Sequence, residues 1–138
     1  MNEYIFETLQ IGQTENFSVT ITEKMMEQFC KISGDVNPLH CDKAYAKSQG
    51  YPDRVVYGLL TSSLYSTLAG VYLPGKYSLL HEVQIKFRKP VFPNDEMTVV
   101  GEISAKHELF RQITVSAEIR NQNGEKVSKA LLKIGVGK

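Results

Sequence analysis

The sequence predicts an α+β domain, one long uncharged helix followed by an antiparallel sheet. Three observations predict it. From Val55 to Gly75 no residue carries a charge, which suits a helix surrounded by the rest of its domain. From Leu80 onward, apolar and polar residues alternate in successive runs, the period of half-buried strands. Pro74-Gly75, Pro90, Pro93 and Asn123-Gly124 punctuate these runs where helices and strands must stop. A chain of 138 residues is the size of one domain, 1–138. At that size about two-thirds of the unfolded surface can be buried, enough for a core without metals or disulfides.

The elements follow in order. Residues 16–21 alternate and read as a strand. Thr22, with Glu23 behind it, opens a helix whose stripe is Met25, Met26, Phe29, Cys30 and Ile32, and Ser33-Gly34 closes it. Asp35 to His40 reads as a loop stiffened by Pro38, which also keeps Asn37 out of helical geometry. Asp42 is a candidate N-cap for a short helix from Lys43 to Ser48. The long helix starts near Tyr57-Gly58, and sixteen residues of it would span about 24 Å. Leu60, Leu64, Leu68 and Val71 form its bulky stripe. Leu59, Ser63, Ser66 and Gly70 form a slimmer one that would let a sheet or ligand come close. Strands are expected over 80–87, 97–104, 110–120 and 127–136, the last two joined by a turn at Asn121 to Gly124. Together these strands read as a meander.

Composition excludes several classes of function. The hydrophobic fraction of 42% and charged fraction of 22% are those of an ordinary globular chain. A net charge of +1 offers no broad attraction to nucleic acid or an anionic membrane. The uncharged run is long enough for a membrane span, but its five Ser and Thr residues and two internal glycines argue against one. The acidic N-terminus lacks the basic and apolar regions of a signal peptide. Cys30 and Cys41 form no CxxC pair and read as reduced thiols of a cytoplasmic protein.

The candidate site is Ser33 to His40, which sets Asp35, Asn37 and His40 close together. Adding water to a double bond conjugated to a carbonyl needs a base, a proton source and a donor for the enolate-like oxygen. Asp35 and His40 converging on one water supply the first two, and Asn37 would orient that water or the carboxylate. The oxyanion donor would be a free N–H at the start of the long helix, where Gly58 permits close approach. The residues alone leave other readings open. Asp-x-Asn-Pro is a good surface turn in its own right. A metal site of Asp35, His40, Cys41 and Asp42 lacks a second cluster to complete it. Lys76, Lys86, Arg88 and Lys89 could meet phosphates, or simply form a solvated strand face.

The run Ser33 to His40, the run Val55 to Leu60 and the segment Phe87 to Glu96 together resemble the MaoC-like dehydratases, the (R)-specific enoyl-CoA hydratases. The resemblance implies the hot-dog fold, a long central helix wrapped by an antiparallel sheet, paired into a homodimer. It implies catalytic roles for Asp35 and His40 with Asn37 as the motif amide, a thioester-binding N–H at Gly58, and a place for Ser66 near the acyl pocket. It implies an acyl thioester of coenzyme A or acyl carrier protein as substrate, with no metal and no cofactor. Tyr57 stands where the family commonly has His, beside the expected oxyanion donor, and is placed with Gly58 and Ser66 among the substrate-binding residues. Asn94 stands where Gly is common, a turn position that Asn also tolerates. Two further expectations for such a fold are a hot-dog acyl-CoA thioesterase and a non-catalytic acyl-thioester binder.

Overall fold

The computed structural model describes residues 1–138. Strand β1 (Thr14–Thr20) leads into helix α1 (Glu23–Ser33), and two short helices follow, α2 (Pro38–Cys41) and α3 (Lys43–Ser48). Helix α4 (Gly58–Thr67) continues through a π-helical turn, Leu68–Tyr72. Strands β2 (Ser78–Phe87), β3 (Glu96–His107), β4 (Gln112–Arg120) and β5 (Lys126–Val136) complete the chain. All five strands form one antiparallel sheet in the order β1-β3-β4-β5-β2.

The expected meander holds only for β3-β4-β5. Strand β2 pairs with β5 on the far edge, with Val83 opposite Leu132 and Phe87 opposite Ser128. The cause is the connection after Phe87. A segment broken by Pro90 and Pro93 cannot turn back as a tight hairpin and instead crosses the sheet to β3, between β1 and β4. Its end is fixed by Asn94, which adopts the left-handed φ of 71° that its sequence position suggested.

The helix ends follow the capping chemistry read from sequence. The Thr22 hydroxyl accepts from Met25 N–H at 3.2 Å, and Asp42 accepts from Tyr45 N–H at 3.1 Å. Gly34 ends α1 at φ 72°, the left-handed cap. One residue departs from the expected stripe of α1. Ile32 is exposed, because the helix buries Met26 and only part of Met25, Phe29 and Cys30.

Helix α4 departs further. Its buried face is Thr61, Ser62, Tyr65, Leu68 and Ala69, lying against the sheet. Of the expected bulky stripe only Leu68 is fully buried, with Leu60 and Leu64 half-covered. The slim stripe does not meet the sheet, since Leu59, Ser63 and Ser66 are exposed. Close approach is achieved from the other side. A Cβ on Gly101 of β3 would stand 2.6 Å from Leu68 Cδ2, so glycine there lets helix and strand touch. A helix with no charge on any face has no periodicity from which to read its buried side. Within the core, the Tyr65 and Ser128 hydroxyls pair at 2.7 Å.

Candidate active site

The polar run after α1 is built by local hydrogen bonds. Ser33 donates its hydroxyl to Phe29 O at 2.8 Å and accepts Asp35 N–H at 3.2 Å. Asp35 Oδ1 accepts Asn37 N–H at 3.1 Å, and Asn37 Oδ1 accepts Leu39 N–H at 2.9 Å. The second of these bonds caps α2. His40 therefore sits on a four-residue helix, not in the expected loop. Pro38 is the physical reason, because at the first helical position its missing N–H costs nothing and its φ is already set. Asn37's carbonyl oxygen is held by this cap, so its visible part is to hold the turn that carries His40.

The segment before α4 fixes the imidazole. His40 Nδ1 lies 2.6 Å from Val55 O. A carbonyl only accepts, so Nδ1 carries the proton and the Nε2 lone pair of the neutral ring is free. Val55 N–H donates to Leu39 O at 3.0 Å, and Arg54 reaches His40 O at 3.5 Å, so α2 is laced to this segment along its length.

Tyr57 lies beneath both groups. It is 2% exposed, stacks on the His40 ring at 4.1 Å between centroids, and donates its hydroxyl to Asp35 O at 2.7 Å. The Cys41 thiol lies 3.5 Å from the same hydroxyl. Burial first, and then the neighbouring Cys41 and Cys30 thiols, push this phenol far above its usual range, so it stays protonated and can donate.

Asp35, His40, Gly58, Leu59 and Ser33 line one cavity of about 230 Å³. His40 and Gly58 also line a second, larger cavity of about 330 Å³, closed by Thr61, Phe87, Arg88 and Ser128 among others. Gly58 is the first residue of α4, so its N–H has no carbonyl one turn back. Phe87 packs on it so tightly that a Cβ there would stand 2.8 Å from the ring. The structure thus brings Asp35, His40 and Gly58 to one place, with Asn37 and Tyr57 supporting them. It does not bring Ser66, which lies on the exposed face of α4 about 10 Å along the helix from Leu59.

Of the basic residues, Arg88 and Lys89 border the larger cavity, and Lys89 is paired with Glu125. Lys76 pairs with Glu3 at 3.1 Å, and Lys86 borders a separate cavity formed with Lys129 and Ser116. No three His, Cys, Asp or Glu side chains come together as a ligand set. No helix is long and apolar enough to cross a membrane. Phe87 and Thr61 were not singled out from sequence. The Thr61 hydroxyl is buried without a partner, a fact that only tertiary packing creates.

A long helix wrapped by a five-stranded antiparallel sheet, with an acid and an imidazole facing a helix N-terminus, defines a hot-dog domain of hydratase type. Residues 7–124 match the family model of the MaoC like domain, and the chain belongs to that family. It is 35% identical over 118 residues to the (R)-specific enoyl-CoA hydratase of Aeromonas caviae, covering 86% of this chain and 88% of the relative. It is 32% identical over 99 residues to the 3-hydroxybutyryl-CoA dehydratase of Methylorubrum extorquens, covering 72% of this chain and 63% of that one. The unliganded R-hydratase of Pseudomonas aeruginosa superposes with a TM-score of 0.91 at 27% identity, covering 97% of this chain and 86% of that one. The resemblance read from three short segments, and the fold it implied, are both borne out.

Proposed function

We propose that this chain adds water to trans-2-enoyl thioesters to give (R)-3-hydroxyacyl thioesters, or removes it in the reverse direction, in fatty acid metabolism. One observation carries the assignment of roles. Asp35 and His40 line a single cavity beside the first N–H of α4, and His40 is held with Nε2 free. In this reading the thioester oxygen accepts the Gly58 N–H, where the helix dipole favours negative charge. A water held between the Asp35 carboxylate and His40 Nε2 adds its oxygen to C3 as its proton passes to this acid–imidazole pair and the C2–C3 π electrons move to the thioester oxygen. A proton is delivered to C2 from the same side, so no net proton is gained or lost. In this reading both groups lie on one side of the thioester plane, so water and proton add to one face.

The working unit in this reading is a homodimer in the cytoplasm. Strand β2 is a sheet edge, and Leu79, Leu80, Val83 and Phe87 along it are exposed, as is Leu59 on α4 beside the Asp35 cavity. An apolar edge of this kind is a template for pairing with a second copy. A partner seated there would roof the cavity and cover the face that holds Ser66. The free thiols of Cys30 and Cys41 support a reducing compartment.

The test is turnover of enoyl-CoA substrates of four to eight carbons, followed by loss of the conjugated absorbance and chiral analysis of the product. Wild type should give the (R)-alcohol without releasing thiol. Asp35→Asn and His40→Ala should each lower turnover by about 10²–10⁴-fold with the fold intact. Thiol release would replace this reading with a thioesterase, and tight binding without turnover would replace it with a binder. Wild-type turnover in either variant would remove that residue's role.

A further inference from the structure

We propose that Tyr57 is a positioning residue for the hydration, setting Asp35 through its backbone carbonyl and His40 through its ring. The proposal rests on the roles assigned above and adds a residue that those roles do not require. Three observations converge on it. The Tyr57 hydroxyl donates to Asp35 O at 2.7 Å, which fixes the peptide from which the Asp35 carboxylate projects. Its ring lies 4.1 Å from the His40 ring at 28°, so the imidazole is held flat between this contact and its bond to Val55 O. Its own peptide carbonyl is bonded to the Gly58 nitrogen, so the residue that steadies the acid and the imidazole also leads into the N–H donor.

Tyr57 borders the Asp35 cavity, but its hydroxyl is engaged within the chain. At 2% exposure it is enclosed by the Asp35 carbonyl and the Cys41 thiol, and the ring is backed by Phe29 at 4.9 Å. Asp35 itself is exposed and sits on a segment anchored only by short-range bonds to Ser33 and Asn37. Tyr57 is the contact that ties Asp35's main chain to a distant part of the fold, 22 residues on. Displacing a reacting group by about 1 Å can cost about 10²-fold in rate, so a contact of this kind acts on turnover before it acts on binding. Tyr57 acts through Asp35 and His40, whose positions it sets.

The experiment is a double-substitution cycle on the full chain with an enoyl-CoA substrate. Tyr57→Phe keeps the ring over His40 and removes the hydroxyl. It should lower kcat by about 10-fold or more with KM within about twofold, the pattern of an interaction that acts only on turnover. In an Asp35→Asn background the same change should lower kcat no further, because the group it positions is already disabled. Wild-type kcat in Tyr57→Phe, or an equal further loss in the Asp35→Asn background, would overturn the proposal. If the Phe variant does not fold, Tyr57→Met, which fills the same space without hydroxyl or ring, should lower kcat by about 10-fold or more with KM within about twofold, and wild-type kcat in it would overturn the proposal. Inactive Asp35→Asn and His40→Ala beside a fully active Tyr57→Phe would overturn this inference alone. Fully active Asp35→Asn would overturn the assigned roles themselves.

Discussion

Asn37 separates two ways in which a polar motif residue can matter. Its side-chain oxygen accepts Leu39 N–H at 2.9 Å and caps α2, the turn that ends in His40 and Cys41. Removing such a cap costs about 1 kcal/mol, and less where the exposed N–H can turn to water. This bond is exposed, so about 1 kcal/mol is the upper figure for Asn37→Ala. For a chain of this size that is about 2–5 °C in Tm. The same 1 kcal/mol is about a fivefold shift in population. If it falls entirely on α2, the fraction of molecules with His40 in place drops by up to that factor. Asn37→Ala should therefore lose up to about fivefold in kcat, with a small drop in Tm. Asn37→Ser restores a capping oxygen and should return both to within about twofold of wild type. The assays are thermal unfolding by circular dichroism and steady-state hydration of an enoyl-CoA. A loss of 10²-fold or more in Asn37→Ser would refute the reasoning, because then the amide itself would be touching water or substrate.

Two further outcomes are expected. Burial pushes the Tyr65 phenol up to about 12, from an ordinary value of 10.0. A raised value means that the folded state holds the proton more tightly. Its stabilisation is complete below pH 10 and is lost as pH climbs to about 12, by about 3 kcal/mol in all. Urea unfolding between pH 9 and 12 should show a loss in wild type larger than in Tyr65→Phe, where Tyr57 still contributes, and parallel curves would exclude it. At the sheet edge, the wild-type chain should sediment at twice its chain mass, and Val83→Lys should give monomers with reduced turnover. A fully active wild-type monomer would exclude the pairing.

Local chemistry was legible in the sequence, and tertiary choice was not. Thr22, Gly34, Asp42 and Asn94 each do what their residue type dictates over a span of four residues, so their positions could be read directly. The strands were found by their alternation, but the partner of β2 was not, since register with β5 depends on how the chain crosses after Phe87. The buried face of α4 was misplaced because Leu60, Leu64 and Leu59 are as apolar as anything the core holds. The fit of Leu68 over Gly101 sets which face is fully buried, and no pattern within the helix itself encodes it. For the site, the residue types in Ser33 to His40 suggested the chemistry. The contact from Tyr57 to Asp35 O joins two segments whose meeting no local pattern announces.

The hydrogen bonds of the site divide its polar groups into two sets. Ser33 Oγ, Asp35 O, Asp35 Oδ1, Asn37 Oδ1 and His40 Nδ1 all have partners within the chain. Asp35 Oδ2, His40 Nε2 and the Gly58 N–H have none, and they belong to residues around one cavity. The free set holds two acceptors and one donor. Two acceptors can grip both hydrogens of a water molecule, and a donor at a helix N-terminus can receive the charge that its addition creates. The engaged set holds those three in place before substrate arrives, which is what makes such a site effective. Losses from the two sets should therefore differ in kind. Changes at Asn37 or Tyr57 loosen geometry and leave the reacting groups present. Changes at Asp35 or His40 remove a reacting group from a frame that stays intact.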